Sequence, residues 1–143
     1  MKLRNMFLGN SAVLNADNTF SVLKGGINAL NMPFHKKPDG TNAYVIPPMH
    51  LSLVATIELE VTEMGRLHNL EVSLLDADGG RTLPDLKSHF QTPASHRKGY
   101  HNVLLDMTLP FKKPGEYAFY INVDGHELGY HPLYVNIVEM KKA

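Results

Sequence analysis

The amino-acid sequence predicts an all-β fold, a two-sheet antiparallel β-sandwich of about eight strands with Ig-like, Greek-key wiring. Three observations predict it. Apolar residues recur at every second position in several segments, the spacing of strands with one buried face. Turns rich in Gly, Pro and Asp separate those segments at short intervals. No helical period competes with either pattern.

The elements follow in chain order. Leu3 to Leu8 is a short apolar segment. Lys2 and Arg4, followed by apolar residues, imitate a signal peptide, but Gly9, Asn10 and Ser11 interrupt the apolar run. The segment therefore reads as a first strand and the protein as cytoplasmic. Ala12–Asn15 and Thr19–Lys24 flank Asp17-Asn18, a hairpin turn. Gly25-Gly26 bends the chain before Ile27–Leu30. Asn31 to Pro48, with Pro33, Pro38-Asp39-Gly40, Pro47 and Pro48, reads as a loop of roughly 17 residues. A Greek-key crossover between sheets accounts for its length. Leu51, Leu53, Ala55, Ile57, Leu59 and Val61 form one row; Ser52, Val54, Thr56, Glu58 and Glu60 form the other, expected to face mostly solvent. Leu70, Val72 and Leu74 make the next inward row. Asp76-Ala77-Asp78-Gly79-Gly80 turns the chain, and Arg81–Phe90 returns, broken by Pro84. Val103, Leu105, Met107 and Leu109 alternate again.

The stretch PFKKPGEYAFYINVDGHELGYHPLYVNIV, residues 110–138, carries the clearest pattern. Tyr117, Phe119, Ile121 and Val123 share one face of a strand. Asp124-Gly125 suits a tight hairpin. On the return strand Leu133, Val135 and Ile137 have one parity and Leu128 the other. One face cannot hold both, so a bulge or break is expected between Gly129 and Pro132. Pro132 lacks an N–H, which places it at an edge or bulge.

Composition bounds the function. The chain has 143 residues, which suits one domain over 1–143 able to bury roughly 70% of its unfolded surface. Lys plus Arg and Asp plus Glu are 14 each, a net charge of zero. That balance argues against a general electrostatic grip on nucleic acid or an anionic membrane. With no Cys, disulfides, thiolate catalysis and Cys-zinc sites are out. No apolar run reaches the ~18–20 residues of a membrane span.

Eight histidines invite a metal reading. His96 with His101 and His126 with His131, each pair five apart, are the candidate ligands, although neither spacing is diagnostic. His68 shares parity with Leu70 and Val72, and His101 with Val103 and Leu105, which places both at the rim of the core. The bland reading is rim or surface histidines with satisfied hydrogen bonds. Asp76-Ala77-Asp78-Gly79 resembles the start of a calcium loop, but the later ligands are missing and a hairpin turn explains it. There is no GxSxG, GxGxxG or Walker-type loop, so no catalytic residue and no cofactor is assigned. Tyr120 and Tyr134 fall on the parity opposite the core row, with Tyr130 near the bulge. Outward aromatics of this kind bind sugars or a partner protein, or pack under a loop or neighbouring subunit.

The segments LRNMFLGNSAVLNADNTFSVLKGGIN, LHNLEVSLLDADGGRTLPDL and PFKKPGEYAFYINVDGHELGYHPLYV together resemble a family of small bacterial proteins, the domain of unknown function DUF6941. The resemblance implies an all-β sandwich and supplies no activity. The sequence thus points to a non-enzymatic module acting through protein–protein contacts at Tyr120, Tyr130 and Tyr134, with self-association as a homodimer expected. A ligand- or metal-binding protein, or an enzyme with an unrecognised site, are the alternatives.

Overall fold

A computed structural model describes residues 1–36, 44–45 and 47–139. Among these it contains eleven strands: β1 Lys2–Gly9, β2 Ser11–Leu14, β3 Phe20–Leu23, β4 Ala29–Lys36, β5 Tyr44–Val45, β6 Met49–Leu59, β7 Leu67–Asp76, β8 Leu86–Gln91, β9 Gly99–Leu109, β10 Gly115–Val123 and β11 His126–Glu139. A short 3-10 turn, Val61–Glu63, takes the end of the 51–61 row, so Val61 leaves the core and is exposed. No α-helix occurs among the described residues, and none of their helices is long and apolar enough to cross a membrane.

The strands form a three-stranded sheet, β1-β6-β9, a six-stranded sheet, β5-β4-β11-β10-β7-β8, and a β2-β3 hairpin. Among the described residues all pairings are antiparallel except β4 with β11. Side chains from both larger sheets meet in one buried cluster. Leu51, Leu53, Ala55, Ile57 and Leu59 supply one wall, each fully buried. Leu74, Phe119, Ile121, Leu133 and Val135 face them from the other sheet. This is the arrangement two-residue periodicity demands, since each sheet has one apolar face to hide.

Three expectations are corrected. The second face of β6 is not solvated: Val54 and Ser52 are fully buried and Glu58 nearly so. The β2-β3 hairpin folds back so that β2 lies against β6 and β9. It is tied there by the amides of Gly26 and Ile27, which donate to the Leu8 carbonyl, and of Asn10, which donates to that of Leu23. The polar members of this face find partners: Ser52 donates to Asp106, Thr56 to Asn102, and Tyr100 to Glu58. Arg4 also sits 3.9 Å from Glu58. An alternating strand thus stays buried on both sides by satisfying its polar row locally.

The second correction concerns Asn31–Pro48. Residues 29–36 are strand, pairing in parallel with β11, and Met32 is buried. Residues 37–43 and 46 of the expected crossover lie outside the described residues. Pro33 hides this strand in the sequence. The amide of Tyr134 donates to the Asn28 carbonyl, which sets the ladder so that residue 33 directs its nitrogen away from β11. Among the described residues β5 pairs there only at His35 and Lys36, so the proline forfeits no hydrogen bond to them.

The third is the position of the bulge. Ile121 pairs with Gly129 but Asn122 with Glu127, leaving Leu128 as the extra residue. The parity conflict is real and is resolved just before the expected 129–132 window. Gly129 then faces inward where Leu3 fills the space: a Cβ there would sit 2.6 Å from Leu3 Cδ2. Pro132 pairs with Ala118 on one side. Its nitrogen points the same way as that of Tyr134, past the end of β4, as an edge proline should.

Candidate functional site

The Leu128 bulge decides which way the end of β11 faces. Beyond it, odd residues point inward and even residues outward, so Leu133 and Val135 are buried while Tyr130 and Tyr134 are exposed, at 60% and 48%. Without the extra residue the two sets would exchange faces. On the neighbouring strand Tyr120 has the outward parity opposite Phe119 and Ile121. Cross-strand register places Tyr120 beside Tyr130, Ala118 beside Pro132, and Glu116 beside Tyr134. The Tyr120 and Tyr130 rings stack with centroids 5.6 Å apart and planes at 28°. Ala118 and Pro132 are short, so the sheet dips between the stacked pair and Tyr134. The result is a groove of about 440 Å³, flanked by Asn28, Asp76 and Glu116. All three tyrosines singled out from the sequence meet in it.

The charges around this groove are uneven. By register, Glu71, Glu116 and Glu127 share its outward face, with Lys87 opposite Glu71. Two nearby cations are already engaged. Arg81 Nε lies 2.9 Å from Asp85, and Lys113 Nζ lies 3.4 Å from Asp76 and 3.5 Å from Asp78. Asp76 also accepts from the amides of Gly80 and Asp78, the Gly80 bond being the main cause of its lowered pKa. Its oxygens therefore close the 76–80 turn, in which Gly79 has φ 81°, as the hairpin reading expects.

A larger cavity, about 610 Å³, lies under the β2-β3 hairpin beside Thr56, Tyr100, His101 and Asn102. Its amide is committed: Asn102 donates to the Asn18 carbonyl and accepts from Thr56. That bonding holds the hairpin to the sheet.

The candidate metal ligands are not gathered. His96 is exposed in the segment before β9. His101 is half-buried, stacked on Phe90 at 4.1 Å between nearly parallel planes, and burial lowers its pKa. His126 is exposed at the start of β11. His131 approaches the Ile27 carbonyl at 3.2 Å through Nε2. Among the described residues no group of three or more His, Cys, Asp or Glu is placed to hold a metal ion.

His68 is where sequence parity understated the case. Its side chain is 1% exposed. Nδ1 lies 2.6 Å from Asp124 Oδ2 and Nε2 lies 2.6 Å from the Glu63 carbonyl. Both partners only accept, and neutral imidazole has one N–H, so only the imidazolium satisfies both. Burial pushes the pKa of His68 down, but the bonds to Asp124 and Glu63 outweigh it and hold the pKa above its ordinary value. Asp124 is held below its own, chiefly by the His68 bond and then by the amide of Asn69. Asp124 occupies the left-handed region, φ 52°, next to Gly125 at φ 82°. One ion pair thus clamps β7, the 3-10 turn and the β10-β11 hairpin. A histidine in a core row signals a missing partner, but Asp124 lies 56 positions away and no local pattern points to it.

Residues 14–136 match the sequence model of a family described as "Family of unknown function (DUF6941)". No protein of curated function matches the chain.

Proposed function

The chain belongs to DUF6941, a family of unknown function, and we propose that it is a non-enzymatic β-sandwich module that binds a protein partner through the Tyr120–Tyr130–Tyr134 groove. The observation that carries this reading is the convergence of those three rings around the Ala118–Pro132 floor. Tyrosine offers a large contact area with little rotamer entropy to lose, and it is enriched where interfaces concentrate their binding energy. Tyr130 is more than half exposed and Tyr134 nearly half, so covering them removes apolar surface from water. The non-enzymatic part is supported by His68. Its short bond to Asp124 has the look of a catalytic dyad, yet its other nitrogen is occupied and its ring is buried. It therefore has no free lone pair with which to act as a base.

The test is in-cell crosslinking of the wild type and of a Tyr130→Ala/Tyr134→Ala variant, followed by identification of the captured proteins. The same variant is checked for an unchanged circular dichroism spectrum. We expect one or more captured proteins to vanish with the double substitution; an identical set would end this reading. Self-association is a separate part of the proposal. Light scattering at high protein concentration is expected to give a dimer mass, and a strict monomer removes that part alone.

A further inference from the structure

Three features of the molecule bear on what the groove would take, and all three concern charge. The chain as a whole is neutral, but among the described residues the outward face around the tyrosines carries Glu71, Glu116 and Glu127 against the ammonium of Lys87 and the guanidinium of Arg81, the latter already paired with Asp85. The carboxylates stand at the two ends of the tyrosine row. Glu116 is directly opposite Tyr134, while Glu71 and Glu127 both pair with Asn122, two residues beyond Tyr120. Along β10 the ends are therefore about 20 Å apart, at ~3.4 Å per residue. Among the described residues none that lines the groove is Lys, Arg or His, and nearby Arg81 and Lys113 are drawn to Asp85, Asp76 and Asp78.

We propose that the groove recognises a cationic segment of its partner: an extended stretch presenting arginine or lysine, with a cation over the tyrosine faces and toward the carboxylates at the groove ends. This rests on the protein-binding reading above and adds the partner's chemistry to it. The face of an aromatic ring carries negative quadrupole, which attracts a guanidinium or ammonium placed over it. Carboxylates at the rim add attraction that speeds encounter and rejects acidic competitors. The half-exposed ring faces of Tyr130 and Tyr134 offer such surfaces, and the shallow Ala118–Pro132 floor leaves room for the long stem of Arg or Lys. A second copy of the chain is a poorer occupant. A two-fold contact sets a patch against itself, which would bring Glu116 and Glu127 toward their own kind. A neutral glycan would use the rings but gains nothing from the charge.

The experiment follows the tyrosine ring resonances by NMR, six in the whole chain, during titration with synthetic nine-residue extended peptides. One peptide carries arginine near both ends; a second has citrulline, the uncharged isostere, in its place; a third has glutamate. Maltohexaose serves as the glycan arm, and every ligand is taken to about 2 mM. We expect the arginine peptide to shift Tyr120, Tyr130 and Tyr134 and to bind about tenfold more tightly than the citrulline peptide. We also expect affinity to fall with added salt and the arginine–citrulline gap to close in a Glu116→Gln/Glu127→Gln variant. Equal binding of the two peptides, no movement of these three rings with the arginine peptide, or a stronger response to maltohexaose overturns the proposal. The broader reading fails separately: it falls when in-cell capture ignores the Tyr130→Ala/Tyr134→Ala change, whatever the peptides do.

Discussion

Replacing His68 with Leu removes a buried cation that two elements depend on. The ring donates to Asp124 and to the Glu63 carbonyl, both at 2.6 Å. Hydrogen bonds from a charged group contribute about 1.5–3 kcal/mol each, so the gross loss is about 3–6 kcal/mol. Two effects reduce it. Asp124 is 42% exposed and regains water, and the variant no longer desolvates an imidazolium. A net loss of about 2–4 kcal/mol remains. For a chain of this length the unfolding entropy is about 0.3 kcal/mol/K, so Tm falls by about 7–13 °C. The pH dependence is the sharper readout. His68 binds its proton more tightly in the folded state, so its stabilisation is complete below 6.5 and is lost as pH rises through the folded value. Asp124 binds its proton less tightly, so its share is complete above 3.8 and is lost as pH falls through its own folded value. His101, with its pKa lowered by burial, works the opposite way to His68 and destabilises the fold as pH drops below 6.5. The informative quantity is therefore the difference between wild type and variant in urea midpoints from pH 5 to pH 9. That difference should be largest at the acid end of the histidine range and shrink toward pH 9. A constant difference, or an NMR titration showing His68 deprotonating at or below 6.5, would refute the imidazolium assignment.

Three other outcomes follow from single contacts. Val54→Ala removes two carbons from a fully buried site and should cost about 1.6 kcal/mol in urea unfolding; a change within about 0.5 kcal/mol would mean the β2-β3 hairpin does not cover this face. Tyr117→Phe deletes the hydroxyl that donates to the Lys113 carbonyl at 2.7 Å and should lower stability by about 1 kcal/mol, read from the same urea curves; an unchanged midpoint would show that this bond does not anchor the Pro114-Gly115 turn. Gly125→Ala places a Cβ at φ 82° and should cost about 1 kcal/mol, whereas a gain would show that the hairpin turn has another geometry.

The sequence by itself determined the fold class, most of the strands, and the outward face of Tyr120 and Tyr134. Those follow from local rules: side chains alternate along a strand, and Asp124-Gly125 or Asp17-Asn18 tolerates the backbone of a tight turn. It even demanded a bulge, because Leu128 and Leu133 could not otherwise share one face. Tertiary structure decided the rest. Nothing within residues 51–61 reveals that Val54 is buried, since its cover is a hairpin from residues 11–23. Nothing around Pro33 reveals a strand, since the ladder that accepts it comes from β11. The charge on His68 and the groove between Tyr120, Tyr130 and Tyr134 belong to the same class. Periodicity states which side of a strand a residue occupies, but a partner 56 positions away, or a ring stacked across a register, exists only once the sheets have closed.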